Sequence, residues 1–306
     1  MVLALIAAPV GAGAQGAGTH VIVVTGLSGE PRLARAFDSA AAAIYDAAKS
    51  RWVSADSNLL YLGEDPARDP KRIRHQATRE HLAAAFSEVA RRSAPGDMVV
   101  VVLMGHGSGE GAASRFNLPG PDATAADFAA WLGPLAGRTV VLVNAASASG
   151  DFQEVLRGEG RVVITATKSA MERNETTFPG VFARALTSEA ADGDKDGRVS
   201  LLEAFGWARQ EVARGYERRN LLATEHALLS DSALARTVAF GTTPAPSDPR
   251  IAALWSERRA LEAQVDQLRR RKASMDSSAY QAELERLLLE IASRTAAIRA
   301  AEAKKP

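Results

Sequence analysis

The chain has 306 residues, of which 46% are hydrophobic and 24% are charged, with 37 Lys and Arg against 36 Asp and Glu. This is the composition of a globular protein large enough for one sizeable α/β domain and a smaller appendage. The nearly balanced charge disfavours sequence-independent binding of nucleic acid, and the absence of cysteine excludes disulfides, thiolate metal sites and a thiol nucleophile in this chain.

Residues 1–15 have the character of a secretory signal peptide. An apolar stretch from Val2 to Val10 runs into small residues that fit the small-x-small cleavage pattern before Gln15, although the usual positively charged start is missing. A flexible Ala/Gly-rich leader is the alternative. We therefore expect an extracytoplasmic protein, periplasmic or secreted, with no membrane span, because no later apolar run reaches the length that a span needs.

Strands and helices are predicted to alternate along residues 16–240. Apolar or β-branched runs predict the strands, and apolar residues at helical spacing predict the helices. The predicted elements are, in chain order, strand 20–25, helix 31–49, strand 59–62, helix 78–89, strand 97–104, helix 124–132, strand 139–143, helix 152–156, strand 162–165, and helices 178–186 and 201–216. This alternation predicts an α/β fold, a mostly parallel sheet flanked by helices, in which ligands gather beyond the carboxyl ends of the strands.

The composition changes after residue 240. Residues 241–250 are rich in Pro, Ser and Thr and predict a linker. Residues 251–306 carry apolar residues at alternating spacings of three and four, interrupted at Arg258 and by a polar turn at residues 276–278. This pattern predicts a C-terminal α-helical hairpin of coiled-coil type, which would offer a surface for self-association. Its basic run at residues 269–272 is flanked by acids and favours a solvated helix end over a nucleic-acid patch.

Two predicted strand-end loops carry candidate chemistry. His106 stands between two glycines, the second of them Gly107, directly after a continuous apolar strand. Glycines at such a position let a ligand approach the main chain. Ser147 and Ser149 lie in the next strand-end loop, where small side chains leave backbone N–H groups accessible as the raw material of an oxyanion hole. A structural histidine and a plain tight turn are the alternatives.

Together these loops resemble the peptidases of the caspase and legumain type, and the bacterial legumain-like branch in particular. The resemblance covers roughly residues 18–240, and its segments are DMVVVVLMGHGS at 97–108, FNLPGPD at 116–122, VVLVNAASASGDF at 140–152 and RVVITATKSAMERN at 161–174. It implies hydrolysis of a peptide or protein substrate through an acyl intermediate. It also implies that His106 is the general base or acid, that position 147 is the nucleophile, and that Gly107 and residue 147 offer oxyanion N–H groups.

Position 147 departs from that family, because it holds serine where the family has its nucleophilic cysteine. A thiol is partly ionised at neutral pH, whereas a serine hydroxyl needs a base that a third group orients. Asp97, Asp122 and Asp151 are candidates for that group by adjacency alone.

Three explanations of Ser147 follow. It is a weak nucleophile of a Ser147/His106 endopeptidase, it marks a pseudo-peptidase that binds without cleaving, or it replaces a natural cysteine. The competing class is a non-catalytic peptide-binding or protein-interaction module that acts through the cleft or through the hairpin.

A second motif predicts a metal site. Residues 192–203, DGDKDGRVSLLE, match the EF-hand calcium loop, with Gly197 at the sharp turn. The predicted Ca²⁺ ligands are Asp192, Asp194, Asp196, the main-chain carbonyl of Arg198, Ser200 and the bidentate carboxylate of Glu203. A solvated acidic turn that caps the following helix is the alternative. Because one such loop is visible and sensors usually pair two, we expect a structural ion rather than a switch.

Overall fold

The computed structural model describes residues 18–194, 198–240 and 248–302. The strands within these ranges are β1 Thr19–Thr25, β2 Leu59–Gly63, β3 His75–Gln76, β4 Met98–Met104, β5 Gly107–Ser108, β6 Arg115–Phe116, β7 Ala123–Thr124, β8 Thr139–Asn144, β9 Arg161–Thr165, β10 Val199–Ser200, β11 Leu228–Leu229 and β12 Ala239–Phe240. The helices are α1 Pro31–Arg51, α2 Arg79–Arg92, α3 Ala125–Leu132, α4 Phe152–Leu156, α5 Phe178–Thr187, α6 Leu201–Arg218, α7 Ser232–Thr237, α8 Pro249–Arg271 and α9 Ser277–Glu302. The predicted signal peptide lies outside the described residues, as do residues 241–247 of the predicted linker.

Seven strands form one sheet in the order β11-β9-β8-β4-β1-β2-β3. Every neighbouring pair is parallel except β11 with β9, so the predicted α/β fold with a mostly parallel sheet is confirmed. The chain starts with β1 in the middle, adds β2 and β3 on one side, and then returns to place β4 on the other side of β1. The strand order therefore reverses between β1 and β4, the place where sheets of this kind open a crevice at their carboxyl edge.

Helices cover both faces of this sheet. Val21 and Val23 of β1 face the layer that holds α1, α5 and α6, whereas Ile22 and Val24 face the layer that holds α2, α3 and α4. All four side chains are fully buried. Because the central strands are covered on both sides, they appear in the sequence as continuous apolar runs rather than as alternating patterns.

A small antiparallel sheet, β5-β6-β7, extends beyond the carboxyl end of β4. Its Phe116 is fully buried, and the ring fills the space that a side chain at Gly26 or Gly105 would need, since a Cβ there would lie 2.8 Å and 3.2 Å from ring atoms. The sequence did not predict this sheet, because ladders of two residues leave no periodicity. The sheet holds the loops that follow β1 and β4 against each other.

The C-terminal helices α8 and α9 form the predicted hairpin. Its core consists of Leu261, Val265, Leu268 and Leu287. Helix α8 begins at Pro249, inside the stretch that was predicted to be linker. Two adjacent leucines of α9, Leu288 and Leu289, remain exposed. In the part of the chain that the structure describes, no helix combines the length and the apolar character that crossing a bilayer requires.

Candidate functional site

The two predicted loops meet at the carboxyl edge of the sheet. β4 and β8 are neighbouring parallel strands, with Leu103 opposite Asn144, so the residues that follow them lie side by side. His106 Nδ1 lies 3.3 Å from Ser147 Oγ. The Ser147 side chain is almost completely buried, at 2% exposure, whereas His106 is half-buried.

The second ring nitrogen of His106 determines which tautomer faces Ser147. Nε2 lies 3.2 Å from the main-chain carbonyl oxygen of Ser28. Because a carbonyl can only accept, Nε2 carries the proton in the neutral ring, and Nδ1 presents its lone pair to the hydroxyl. The edge-to-face contact with Phe37, at 5.8 Å between ring centroids, also restrains the imidazole. The ring is therefore oriented with its acceptor nitrogen towards the Ser147 hydroxyl.

Backbone donors also converge on Ser147. Gly107 of β5 lies opposite Phe116 of the antiparallel strand β6. Because the Asn117 N–H donates to the His106 carbonyl, Gly107 and Phe116 form a non-hydrogen-bonded pair, in which the two amides point away from each other. The Gly107 N–H consequently points to the neighbouring loop and donates to Ser147 Oγ at 3.4 Å. The Ser147 N–H makes no hydrogen bond to any residue that the structure describes. These two amides are the pair that the resemblance assigned to an oxyanion hole.

The two serines in the loop after β8 have different hydrogen-bond partners. Ser149 Oγ accepts from the backbone amides of Ala166 and Thr167, and therefore holds the loop against the end of β9. Ala148 lies between the serines with a φ of +50°, and its N–H donates to the Glu172 carbonyl. Only Ser147 of the two serines faces the imidazole, and the Ala148 amide is already bound elsewhere.

The three carboxylates suggested by adjacency do not orient His106, and that part of the sequence analysis was wrong. Asp97 lies at the opposite end of β4, where it accepts from the Gly18 and Ala94 amides and pairs with His20. Asp122 accepts from the Leu118 amide, and Asp151 from those of Gly111 and Ala170.

The orienting group is instead the Ser28 carbonyl, which sequence reasoning missed. Its signal was positional, since Ser28 follows β1 at the same edge of the sheet. A backbone carbonyl leaves no residue-type signature that a sequence pattern can reveal.

Three predicted calcium ligands come together in the second motif. Asp192, Asp194 and Glu203 each offer an oxygen atom, and these atoms lie within 4.8 Å of one another. Glu203 Oε1 accepts from the amides of Gly193 and Asp194, and its Oε2 accepts from the amide and hydroxyl of Ser200. The carboxylate thus joins the start of the loop to its end. Asp196 and Gly197 lie outside the described residues.

The other predicted ligands that the structure describes, Ser200 and Arg198, are not part of this carboxylate cluster. Ser200 is the N-cap of α6, and its hydroxyl accepts from the Glu203 amide in a capping box. Arg198, the seventh residue of the loop, is half-buried, and its expected role rests on its main chain. Carboxylate and hydroxyl oxygens are the donors that hard divalent cations prefer. The described residues therefore fit such an ion, without distinguishing calcium from other hard cations.

The positively charged side chain of Arg258 also contacts this loop. Arg258, the residue that interrupts the apolar pattern of α8, is 4% exposed. Its Nη2 donates to Asp194 Oδ2 at 2.6 Å, and its Nε donates to Glu262 at 2.9 Å. The hairpin is thus tied to the predicted metal loop through a buried guanidinium.

Comparisons with known proteins leave the function open. No family model matches the chain, and no curated protein matches it. Among solved structures, the chain is similar to a protein from Geobacter sulfurreducens that was a structural-genomics target. The match covers 73% of this chain and 99% of that chain, with 14% sequence identity and a TM-score of 0.47. So slight a likeness carries no argument about function.

Proposed function

We propose that this chain is a protein of the caspase and legumain type whose cleft at the carboxyl edge of the sheet binds extended peptide. In this proposal Ser147 and His106 form a weak endopeptidase pair. The observation that carries it is the 3.3 Å contact between Ser147 Oγ and His106 Nδ1, with Nε2 bound to the Ser28 carbonyl. Hydrogen bonds between a nucleophile and its general base are about 2.6–3.2 Å long and are often longer before substrate binds, so this contact is compatible with general-base catalysis.

The proposed reaction is an acyl transfer. Ser147 Oγ attacks the scissile carbonyl while its proton passes to His106 Nδ1, and the oxyanion accepts from the amides of Gly107 and Ser147. The imidazolium then returns that proton to the leaving amine, and the C–N bond breaks. Water, deprotonated by the same nitrogen, attacks the ester, which releases the acid and restores the hydroxyl.

Two features support slow turnover. The imidazolium that forms during attack faces a neutral carbonyl rather than a carboxylate, and the loss of the carboxylate from a serine triad costs about 10⁴ in rate. Ser147 is also 2% exposed, so a substrate has to displace its surroundings before attack.

Substitution of the nucleophile tests the proposal directly. Ser147→Cys restores the residue of the resembling family, and we expect it to cut a broad peptide library about 100-fold faster than the unsubstituted chain, because a thiol is partly ionised at neutral pH. The added substitution His106→Ala should abolish this activity. Ser149→Cys is the matched control, since its side chain faces β9 rather than the imidazole. A folded Ser147→Cys protein that cuts no peptide would exclude the peptidase assignment.

The burial of Ser147 favours a second candidate, a non-catalytic peptide-binding module that uses the same cleft. Such a module would retain peptides of one sequence class on the immobilised protein without cutting them, even after Ser147→Cys. The peptide library therefore separates the two candidates, because cleavage and retention are read from the same sample.

We also propose that residues 192–203 bind one structural Ca²⁺ ion. The motif spacing and the convergence of Asp192, Asp194 and Glu203 support this proposal. When bound, the ion would supply positive charge that ties the loop to the start of α6.

Isothermal titration provides the test of the metal site. We expect Ca²⁺ to bind with one-to-one stoichiometry, Glu203→Gln to weaken binding at least about tenfold, and the exposed Asp56→Asn to have no effect. Absence of binding at millimolar Ca²⁺, or equal binding by Glu203→Gln, would remove the calcium site.

A further inference from the structure

Buried polar groups lie directly behind His106, on the side away from Ser147. The residue whose carbonyl accepts from the imidazole, Ser28, is 5% exposed. Its hydroxyl donates to Glu64 Oε2 at 2.7 Å, and its amide donates to Glu64 Oε1 at 3.3 Å. A single carboxylate thus binds both polar donors of the residue that orients the ring.

Glu64 is itself held in place. Its Oε2 accepts from Arg68 Nη2 at 2.9 Å, and Arg68 Nε pairs with Asp38 at 2.8 Å. Burial acts to raise the pKa of Glu64, but the hydrogen bonds from Ser28 and the charge of Arg68 outweigh it and leave this pKa below its ordinary value. The group is therefore ionised at neutral pH, in the form that can accept from both Ser28 donors.

Ser28 lies in the loop between β1 and α1, where the Gly26 amide donates to the Met104 carbonyl at 2.9 Å. Gly26 and Gly29 flank Ser28 two residues before it and one residue after it, and Gly29 has a φ of +72°. The Leu27 amide donates to the Asn117 carbonyl at 3.0 Å, which fixes the chain before Ser28 but not the direction of the carbonyl that follows. The two bonds to Glu64 hold the amide and the side chain of Ser28, so that rotation about its Cα–C bond alone can still turn the carbonyl.

We propose that Glu64 is a positioning residue for His106 and acts through the two hydrogen bonds that hold Ser28. This inference rests on the proposed role of the His106 and Ser147 pair. Glu64 touches neither reacting atom, and supplies through one intervening residue the orientation that the carboxylate of a serine triad supplies by direct contact. It explains how the ring is oriented although, among the residues that the structure describes, no carboxylate hydrogen-bonds to it.

The test uses the full chain with Ser147→Cys, in which the rate of alkylation by iodoacetamide reports how well the imidazole supports the thiolate. Adding Glu64→Gln keeps the shape of the side chain but leaves one acceptor oxygen for the two Ser28 donors. We expect the alkylation rate at pH 7 to fall about tenfold, with its pH midpoint moving towards that of a free thiol. Ser28→Ala should act in the same direction, and Ser28→Thr, which keeps the hydroxyl, should match Ser28.

Glu30→Gln is the matched control. Glu30 is an exposed acid in the same loop that binds Arg32 rather than Ser28, so its loss should change the alkylation rate less than about twofold.

Nitrogen-15 spectra of the His106 ring give a second readout in the chain that retains Ser147. They should show the Nε2–H tautomer, and a mixture of tautomers after Glu64→Gln.

The proposal is overturned if folded Glu64→Gln and Ser28→Ala proteins keep both the alkylation profile and the ring spectrum unchanged. Thermal unfolding establishes that each variant is folded. If Glu64→Gln does not fold, the result for Ser28→Ala decides the test. Peptide cleavage by Ser147→Cys is scored separately. Its absence would exclude the peptidase assignment, while the alkylation profile and the ring spectrum would still report whether Glu64 positions His106.

Discussion

At the scale of single residues, the site depends on positions where no larger side chain fits. A Cβ at Gly107 would lie 2.5 Å from the Ser147 carbonyl oxygen and 2.9 Å from that of Arg115. A Cβ at Gly150 would lie 2.1 Å from the Ser169 amide nitrogen. Ala148 adopts the left-handed conformation, which costs a non-glycine residue about 1 kcal/mol. Small residues therefore allow the backbones of the two strand-end loops to come into contact.

We predict that Gly107→Ala separates these loops. The added methyl group has only backbone atoms to push against, so the free energy of unfolding should fall by about 2 kcal/mol or more. The His106 ring spectrum should also lose the signature of its contact with Ser147. Gly133→Ala is the control, because a Cβ there meets nothing within 4 Å. Urea denaturation measures both variants, and equal stability of the two would contradict the close contact at Gly107.

A second prediction at this scale concerns pH. Burial lowers the pKa of His20, and this effect outweighs the hydrogen bond to Asp97, which raises it. Below the unfolded pKa of about 6.5, the unfolded chain binds more protons than the folded one, so stability should fall as the pH drops below that value. His20→Gln should remove this dependence below about pH 6.5. Urea denaturation at a series of pH values below about 6.5 checks it, and an unchanged slope in His20→Gln would contradict it.

At the scale of elements, polar side chains fix where helices begin. Thr124 and Asp127 form a capping box at the start of α3, as Ser200 and Glu203 do at the start of α6. Helix α5 uses a residue from far along the chain instead. Glu225 is 4% exposed and accepts from the Thr177 and Phe178 amides and from the Thr177 hydroxyl. The segment after α6 is thereby locked onto the first turn of α5.

We predict that Glu225→Gln destabilises the protein by about 2 kcal/mol. The amide loses the charge that favours a helix N-terminus, and its NH₂ group faces donors that need an acceptor. Glu217→Gln, an exposed substitution on α6, should change stability by less than about 0.5 kcal/mol. The midpoint of urea denaturation distinguishes the two, and similar midpoints would contradict the capping role.

At the scale of the whole molecule, the pair of His106 and Ser147 and the predicted metal loop lie near opposite ends of α1. In its first two turns, the Phe37 ring contacts the His106 ring edge to face. At its end, the Trp52 ring packs 4.6 Å from that of Phe240 in β12, which pairs with β10 beside the metal loop. A helix of 21 residues spans about 30 Å. A bound cation should therefore act on the hairpin and the loop rather than on Ser147.

We predict that Arg258 limits calcium affinity. Its buried guanidinium shares Asp194 with the proposed ion, and two cations at one carboxylate repel each other. Arg258→Gln should raise the affinity about tenfold, whereas Arg258→Lys, which keeps the charge, should change it less than about threefold. Isothermal titration measures both. Weaker binding by Arg258→Gln would mean that the guanidinium orients Asp194 for the metal instead.

The separation between the proposed ion and Ser147 can be tested with the Ser147→Cys protein. If the cleft and the metal loop are independent, Ca²⁺ should leave the alkylation profile of the Ser147→Cys protein unchanged while raising its Tm. A Ca²⁺-dependent change in that profile would show that the two ends of α1 are coupled.

The sequence by itself determined the longer strands and helices, the fold class and the hairpin, because the periodicity that predicts such elements depends on neighbouring residues. It also placed His106 and Ser147 at one edge of the sheet, since parallel neighbours carry their loops at the same end. The two-residue strands escaped prediction because so short a ladder leaves no pattern.

Tertiary structure alone decided which groups touch. Ser28 orients His106 from 78 residues away, Glu64 holds Ser28 from 36 residues away, and Arg258 reaches Asp194 across 64 residues. Every residue has a main-chain carbonyl, so the residue type of Ser28 does not indicate its contact with His106. Arg258 interrupts the apolar pattern of α8, but its role is apparent only from its contact with Asp194. These contacts depend on how the strands are ordered and how the helices pack, which no local spacing of residues encodes.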